Sequence, residues 1–264
     1  MVCLLKILCF VLLMLAPVSM SSAQTSLKRS VDSAKAVMPI VLNKEVAWTD
    51  ISDKDTICSL TFLLEGKAAE NVELLRANGY NTATYAQLLL TNDSLRKHKD
   101  LIRVLVDEKR QLEVIMRGMN IDCDVIDTIS LGQLRLLTSD NLARVKDSLL
   151  LCTRIDFVNI NVENDRHKGQ TFLSWTSLSD DAYIHEMQTS DAEFFSLLQK
   201  DSVFAQRMAI SIVGEHNMQP IVKSLARLKK AFVWLVINNE TGDEYRVVIT
   251  ADDLQRKTGT NQYR

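Results

Sequence analysis

The chain predicts an α+β protein of two tandem units, each running helix, β-hairpin, helices, β-hairpin, with antiparallel sheets covered by helices on one face. Three observations carry this expectation. Segments of apolar alternation stand in pairs around short polar turns, as hairpin strands do. Between the pairs, apolar residues recur three and four positions apart, the helical period. The rhythm of the first half also returns in the second about 120 positions later, the mark of repeated architecture.

Taken in order, residues 1–23 stand apart from both units. They carry Lys6, an apolar run over 7–15, Pro17 and then Ser21-Ser22-Ala23, the pattern of a secretory signal cleaved after Ala23. The apolar run is shorter than the ~20 residues a membrane-spanning helix needs. No cysteine directly follows the small residues, so a lipid anchor is not expected, nor is a transmembrane segment after cleavage. The remaining chain is expected in the periplasm or outside the cell.

Unit one is expected over 24–140 and unit two over 141–264. In unit one, "SVDSAKAVMPIVLNKEVAW" reads as a helix and a first strand, and "TICSLTFL" as the next strand. There Cys58, Leu60, Phe62 and Leu64 share one face and Ser59 and Thr61 the other. "NLARVKDSLLLCTRIDFVNINV" reads as the matching helix and first strand of unit two, followed by "TFLSWTSL". "SDAE" at 190–193 has the form of a capping box ahead of Phe194, Phe195, Leu197 and Leu198. Asp201 is placed to cap the next helix, with Phe204, Met208 and Ile212 four apart. Ile221, Leu225 and Leu228 make a third stripe, with Lys229 and Lys230 at its negative end. "FVWLVI" and "YRVVIT" then flank the turn Asn-Glu-Thr-Gly-Asp at 239–243. The first of these strands is apolar on both faces, so the other unit is expected to cover its second face.

Residues 101–116 lie on 221–236 without a gap: Leu105 on Leu225, Lys109-Arg110 on Lys229-Lys230, Leu112 on Phe232 and Val114 on Trp234. A second match sets 56–63 on 171–178, which places Trp175 on Leu60. Core packing is therefore expected for Trp175 and Trp234, and exposure for Trp48 beside Thr49 and Asp50. Both matches argue for an internal duplication.

Composition narrows the functional classes. Apolar residues make 47% and charged residues 24%, and the net charge is −2, so nothing suggests a nucleic-acid partner. Only eight glycines are present, with no phosphate-cradling loop and no Gly-x-Ser-x-Gly elbow. "HEMQT" at His185 lacks the second histidine of a zinc helix, and no Cys-x-x-Cys occurs. His98, between Leu95 and Ile102, is expected to be half-buried and structural. His167 is placed in a polar loop and His216 in a helix-ending loop. Acidic runs at 50–55 and 120–127 lack calcium-loop spacing and read as turns. The basic run at 96–99 reads as a solvated helix face. After signal removal Cys58, Cys123 and Cys152 remain, and three pairings are open. Cys152, near the end of its helix, is expected to be a buried, unreactive thiol. No catalytic residue, cofactor or metal ligand is nominated.

The ending "VVITADDL" at 247–254 resembles that of uncharacterised exported tandem α+β repeat proteins of Gram-negative anaerobic bacteria, whose units close on a VxITxxDL strand. "DTISLGQL" at 127–134 departs from it. The resemblance implies the fold and the export and supplies no active site. The expected function is an exported, non-enzymatic module binding a protein or surface ligand, of inhibitor or immunity type. The alternatives are an envelope structural or assembly protein, and a secreted hydrolase whose site converges only in three dimensions.

Overall fold

The structure is a computed structural model that describes residues 26–54, 56–118, 121, 124–167 and 174–259. Residues 1–25, where a signal is expected, Cys123, and residues 171–173 of the stretch 171–178 read above as strand lie outside the described residues. By contacts the chain divides into two units. One runs up to Arg76 and resumes over Asn81–Leu142; the other comprises Ala77–Tyr80 and the chain from Ala143 onward.

The first unit opens with helix α1 (26–35), whose Leu27, Val31 and Ala34 are buried at helical spacing. Strands β1 (Ile40–Asn43), β2 (Val46–Lys54) and β3 (Ile57–Leu64) follow as an antiparallel meander. Helices α2 (Gly66–Ala77) and α3 (Ala83–Leu90), a 3-10 turn (Asp93–His98) and α4 (Lys99–Asp107) then lead to β4 (Gln111–Gly118). Strand β5 (Val125–Ile129) and helix α5 (Leu131–Leu137) close the unit. The sheet order is β1-β2-β3-β4-β5. Cys58, Leu60, Phe62 and Leu64 are all buried, as the alternation of β3 requires.

The second unit begins with α6 (Leu142–His167), which at 26 residues spans about 39 Å. Strands β6 (Ser174–Leu178) and β7 (Ala182–Thr189) make a hairpin. Helices α7 (Ala192–Lys200) and α8 (Ser202–Gly214), a 3-10 turn (His216–Met218) and α9 (Gln219–Leu228) connect it to β8 (Ala231–Asn238). Strand β9 (Glu244–Ile249) and helix α10 (Ala251–Thr258) end it. The order is β6-β7-β8-β9. Tyr183, Phe232, Trp234, Val236, Val247 and Ile249 from the sheet pack with Leu151, Ile155, Phe195, Leu198, Ala205, Ala209, Ile221 and Leu225 from the helices.

The class is α+β with two similar sheet units, and the hairpins are antiparallel. The joins between hairpins are not: β3 runs parallel to β4, and β7 to β8, so each sheet is mixed. A helical crossover returns the chain to the end of the sheet it left, which a short turn cannot do. This pairing also corrects one sequence match. Ile57 pairs with Gln111 and Ala182 with Ala231, so β3 corresponds to β7, and β6 corresponds to β2. Segments 56–63 and 171–178 are not equivalent, and Trp175 occupies the place of Asp50 rather than Leu60.

Three further expectations change. The stretch "IDFVNINV" is helix, not strand: Asp147, Leu151, Ile155 and Asn159 are buried four apart, and this period overrides the β-branched composition. Cys152 therefore lies mid-helix. The cap of α7 is Asp191, whose carboxylate accepts from the Phe194 amide at 2.8 Å, and not Ser190. Trp48 is 1% exposed, because it shares the inward face of β2 with Val46 and stands opposite buried Phe62; its Nε1 donates to the Asp50 carbonyl at 2.9 Å. Trp175, by contrast, is only half-buried. On β8, Val233 and Leu235 are buried as well as Phe232, Trp234 and Val236, so both faces of that strand are covered within the chain.

Candidate ligand recess of the first unit

Each unit reaches its second hairpin through the same device. Helix α4 ends with Lys109 in the left-handed region (φ 54°), and α9 with Lys229 (φ 58°). The amide of Arg110 returns to the Leu105 carbonyl at 2.9 Å and that of Lys230 to Leu225 at 3.0 Å, the closing bond of a Schellman turn. The turn aims the next side chain, Arg110 or Lys230, back toward the first hairpin.

What those side chains meet differs between the units. In the second, Lys230 Nζ donates to the Ser179 carbonyl at 2.8 Å and to that of Asp180, which ties down the β6–β7 turn. Leu228, two residues earlier, packs against the hydrophobic core. In the first, Arg110 is paired with the Asp53 carboxylate near the end of β2, and the position matching Leu228 holds Glu108.

Asp53, Glu108 and Arg110 line an open recess of about 440 Å³ together with Leu27, Lys28, Val31 and Lys35 of α1. That size suits a small ligand. Two atoms in this wall are buried and have no hydrogen-bond partner among the described residues: Glu108 Oε1 and Arg110 Nε. Burial pushes the Glu108 carboxyl upward from its usual range, against the pull of Arg110, with Asp53 and Asp107 adding to the rise. Lys28 and Lys35 are exposed at the rim. The charged side chains number three cations and two carboxylates.

Nearby Cys58 is not a nucleophile. It is fully buried, and burial with the Asp53 charge pushes its thiol up to about 12, against a smaller lowering by Arg110. Cys152 is half-buried and also raised, by burial and then by Asp156. Both are free thiols among the described residues. His98 sits edge-on to Trp48 with ring centres 5.4 Å apart, a structural place. His167 closes α6, and His216 is exposed in a 3-10 turn. His185 lies on β7 rather than in a helix, stacked on Phe232 at 6.2 Å. Its Nδ1 is buried without a hydrogen-bond partner among the described residues, and burial lowers its basicity. Among the described residues no three His, Cys, Asp or Glu side chains gather as metal ligands.

Of the recess residues, the sequence brought Asp53 forward only within an acidic run, and Arg110 only as basic punctuation. Glu108, Lys28 and Lys35 passed unnoticed. The one available signal was Glu108 itself, a carboxylate aligned with a leucine in the matched segments.

No protein family and no curated protein matches this chain. Among solved structures, a Pseudomonas aeruginosa protein proposed to be secreted is 9% identical, with a TM-score of 0.31 over 43% of this chain and 94% of its own. Nothing in these comparisons supports a link to proteins of Gram-negative anaerobes. No helix among the described residues is long and apolar enough to cross a membrane.

Proposed function

We propose that the protein is an exported, non-enzymatic binding module whose first unit holds a ligand in the recess beside Glu108. The observation that carries this reading is the pair of buried, unpartnered polar atoms, Glu108 Oε1 and Arg110 Nε, in the wall of an open, charged recess. A buried polar atom without a hydrogen-bond partner is costly to the fold. The scaffold itself does not demand one there, since the second unit satisfies the same position with Leu228. Export rests on the pattern of residues 1–23. The shared Schellman turns at Lys109 and Lys229, 120 positions apart, support descent of the two units from one duplicated ancestor.

The test has two parts. Cell fractionation with N-terminal sequencing is expected to find the protein in the exported fraction, beginning at Gln24. A thermal-shift panel of small acids, amines and neutral polar compounds is expected to yield stabilisers that act on the native chain and fail on the Lys28→Ala/Lys35→Ala variant. A cytoplasmic protein with an intact N-terminus, or a panel without a differential hit, contradicts the reading.

A further inference from the structure

We propose that the ligand of this recess is a small organic acid that also carries a hydroxyl or amine donor; the inference rests on the reading of the recess as a ligand site. Lys28 and Lys35 stand seven residues apart on α1, two helical turns and about 10 Å along one face. Neither is engaged in an ion pair among the described residues. Leu27 and Val31 of the same helix are buried and give the recess an apolar side. Asp53 is already satisfied by Arg110. The groups left for a ligand are therefore two ammonium groups, the Arg110 Nε–H donor and the Glu108 carboxyl.

These four ask for one chemistry. An acid group accepts from Lys28, Lys35 and Arg110 Nε, charge-assisted bonds about twice as strong as neutral ones. A hydroxyl or amine on the same molecule donates to Glu108 Oε1. Three cations against two carboxylates leave the recess net positive, so a neutral polyol lacks the charge to hold it. A plain acid leaves Glu108 Oε1 without a partner, and sites built for a hydrogen bond reject analogues that cannot make it. Both wall atoms are shielded from water, so binding turns the Glu108 and Arg110 side chains toward the ligand.

The second unit supports the assignment by contrast. Its cation at the matching place, Lys230, is consumed by the carbonyls of Ser179 and Asp180, and Leu228 replaces the carboxyl. One frame is thus closed with apolar and turn contacts in one unit and left open with ionic groups in the other.

The experiment is an amide-resolved NMR titration of the chain from Gln24 onward at pH 7. The probes are sodium D-glucuronate (acid with hydroxyls), D-glucose (hydroxyls only) and sodium acetate (acid only). Glucuronate is expected to shift amides around 27–35, 53 and 108–110 at millimolar concentration, with at least ten-fold weaker effects from glucose and acetate. Lys28→Ala/Lys35→Ala is expected to weaken glucuronate about ten-fold. Glu108→Leu should reduce glucuronate to the level of acetate, with Glu108→Gln intermediate, and melting curves confirm that each variant folds. Equal binding of glucuronate and acetate, or indifference to Glu108→Leu, overturns the inference. If only neutral or cationic compounds of the thermal-shift panel bind, the ligand class falls while the ligand site stands. If no compound binds, both fall.

Discussion

At the scale of single residues, two partly buried titratable groups set the expected response to mutation and pH. Glu108 has a raised carboxyl because burial disfavours its charged form. Its unfolded form ionises near 4.5, before the native one does, so stability falls as pH rises past that point until the native carboxyl has also ionised. Glu108→Leu, the residue of the second unit, removes this loss, and the melting temperature at pH 7 is expected to rise by a few degrees. His185 is the opposite case, with a basicity lowered by burial. The unfolded chain takes up its proton near pH 6.5 before the native chain does, so acid below that value destabilises the fold. The matching position in the first unit is Leu60, fully inside its sheet. His185→Leu is expected to flatten the fall in melting temperature between pH 7.5 and 5.5, and an unchanged slope would contradict the role given to the imidazole. Neither group was legible in the sequence as a site. A lone glutamate or histidine carries no period, and only the folded neighbours reveal that its polar atom lacks a partner.

At the scale of elements, helix ends and one edge strand hold the units in shape. Lys109 and Lys229 occupy a left-handed conformation that costs an ordinary residue about 1–2 kcal/mol. Glycine adopts it freely. Lys229→Gly is expected to raise the melting temperature by a few degrees while leaving the pairing of β8 intact. Edge strand β6 is guarded by α6: Asn159 Nδ2 donates to the Thr176 carbonyl at 2.8 Å, and its Oδ1 accepts from the Thr176 amide at 2.9 Å and hydroxyl at 3.0 Å. The side chain thus imitates a neighbouring strand and blocks that edge. Asn159→Ala strands two buried backbone groups, for an expected loss of about 2–3 kcal/mol. The check is hydrogen exchange at the Thr176 amide, whose protection should drop with stability. The cap at Asp201 was readable from sequence, and its carboxylate accepts from the Phe204 amide at 2.9 Å. The long helix α6 was not, because its β-branched residues imitate a strand until the four-residue burial period is seen.

At the scale of the whole molecule, two similar mixed sheets each join two hairpins through a helical crossover. The sequence made the class and the 120-residue correspondence of the second hairpins legible, because alternation and helical stripes survive there without gaps. It concealed β7, whose "AYIHEMQT" mixes polar and apolar residues on both faces, and so it misaligned the first hairpins. Parallel joining was equally hidden, since local patterns specify strands but not which end of the sheet a crossover returns to. The recess emerged only once α1, β2 and the end of α4 were brought together. Its charged wall is one place where the two similar units differ. The most direct test is calorimetric titration of sodium D-glucuronate into the native chain and Glu108→Leu, at about 20 and 200 mM salt, a range over which exposed charges become screened. The account predicts saturable one-to-one binding to the native chain, weakened several-fold by salt and by at least ten-fold in Glu108→Leu. Heats indistinguishable from dilution for both proteins, or identical isotherms, would contradict it.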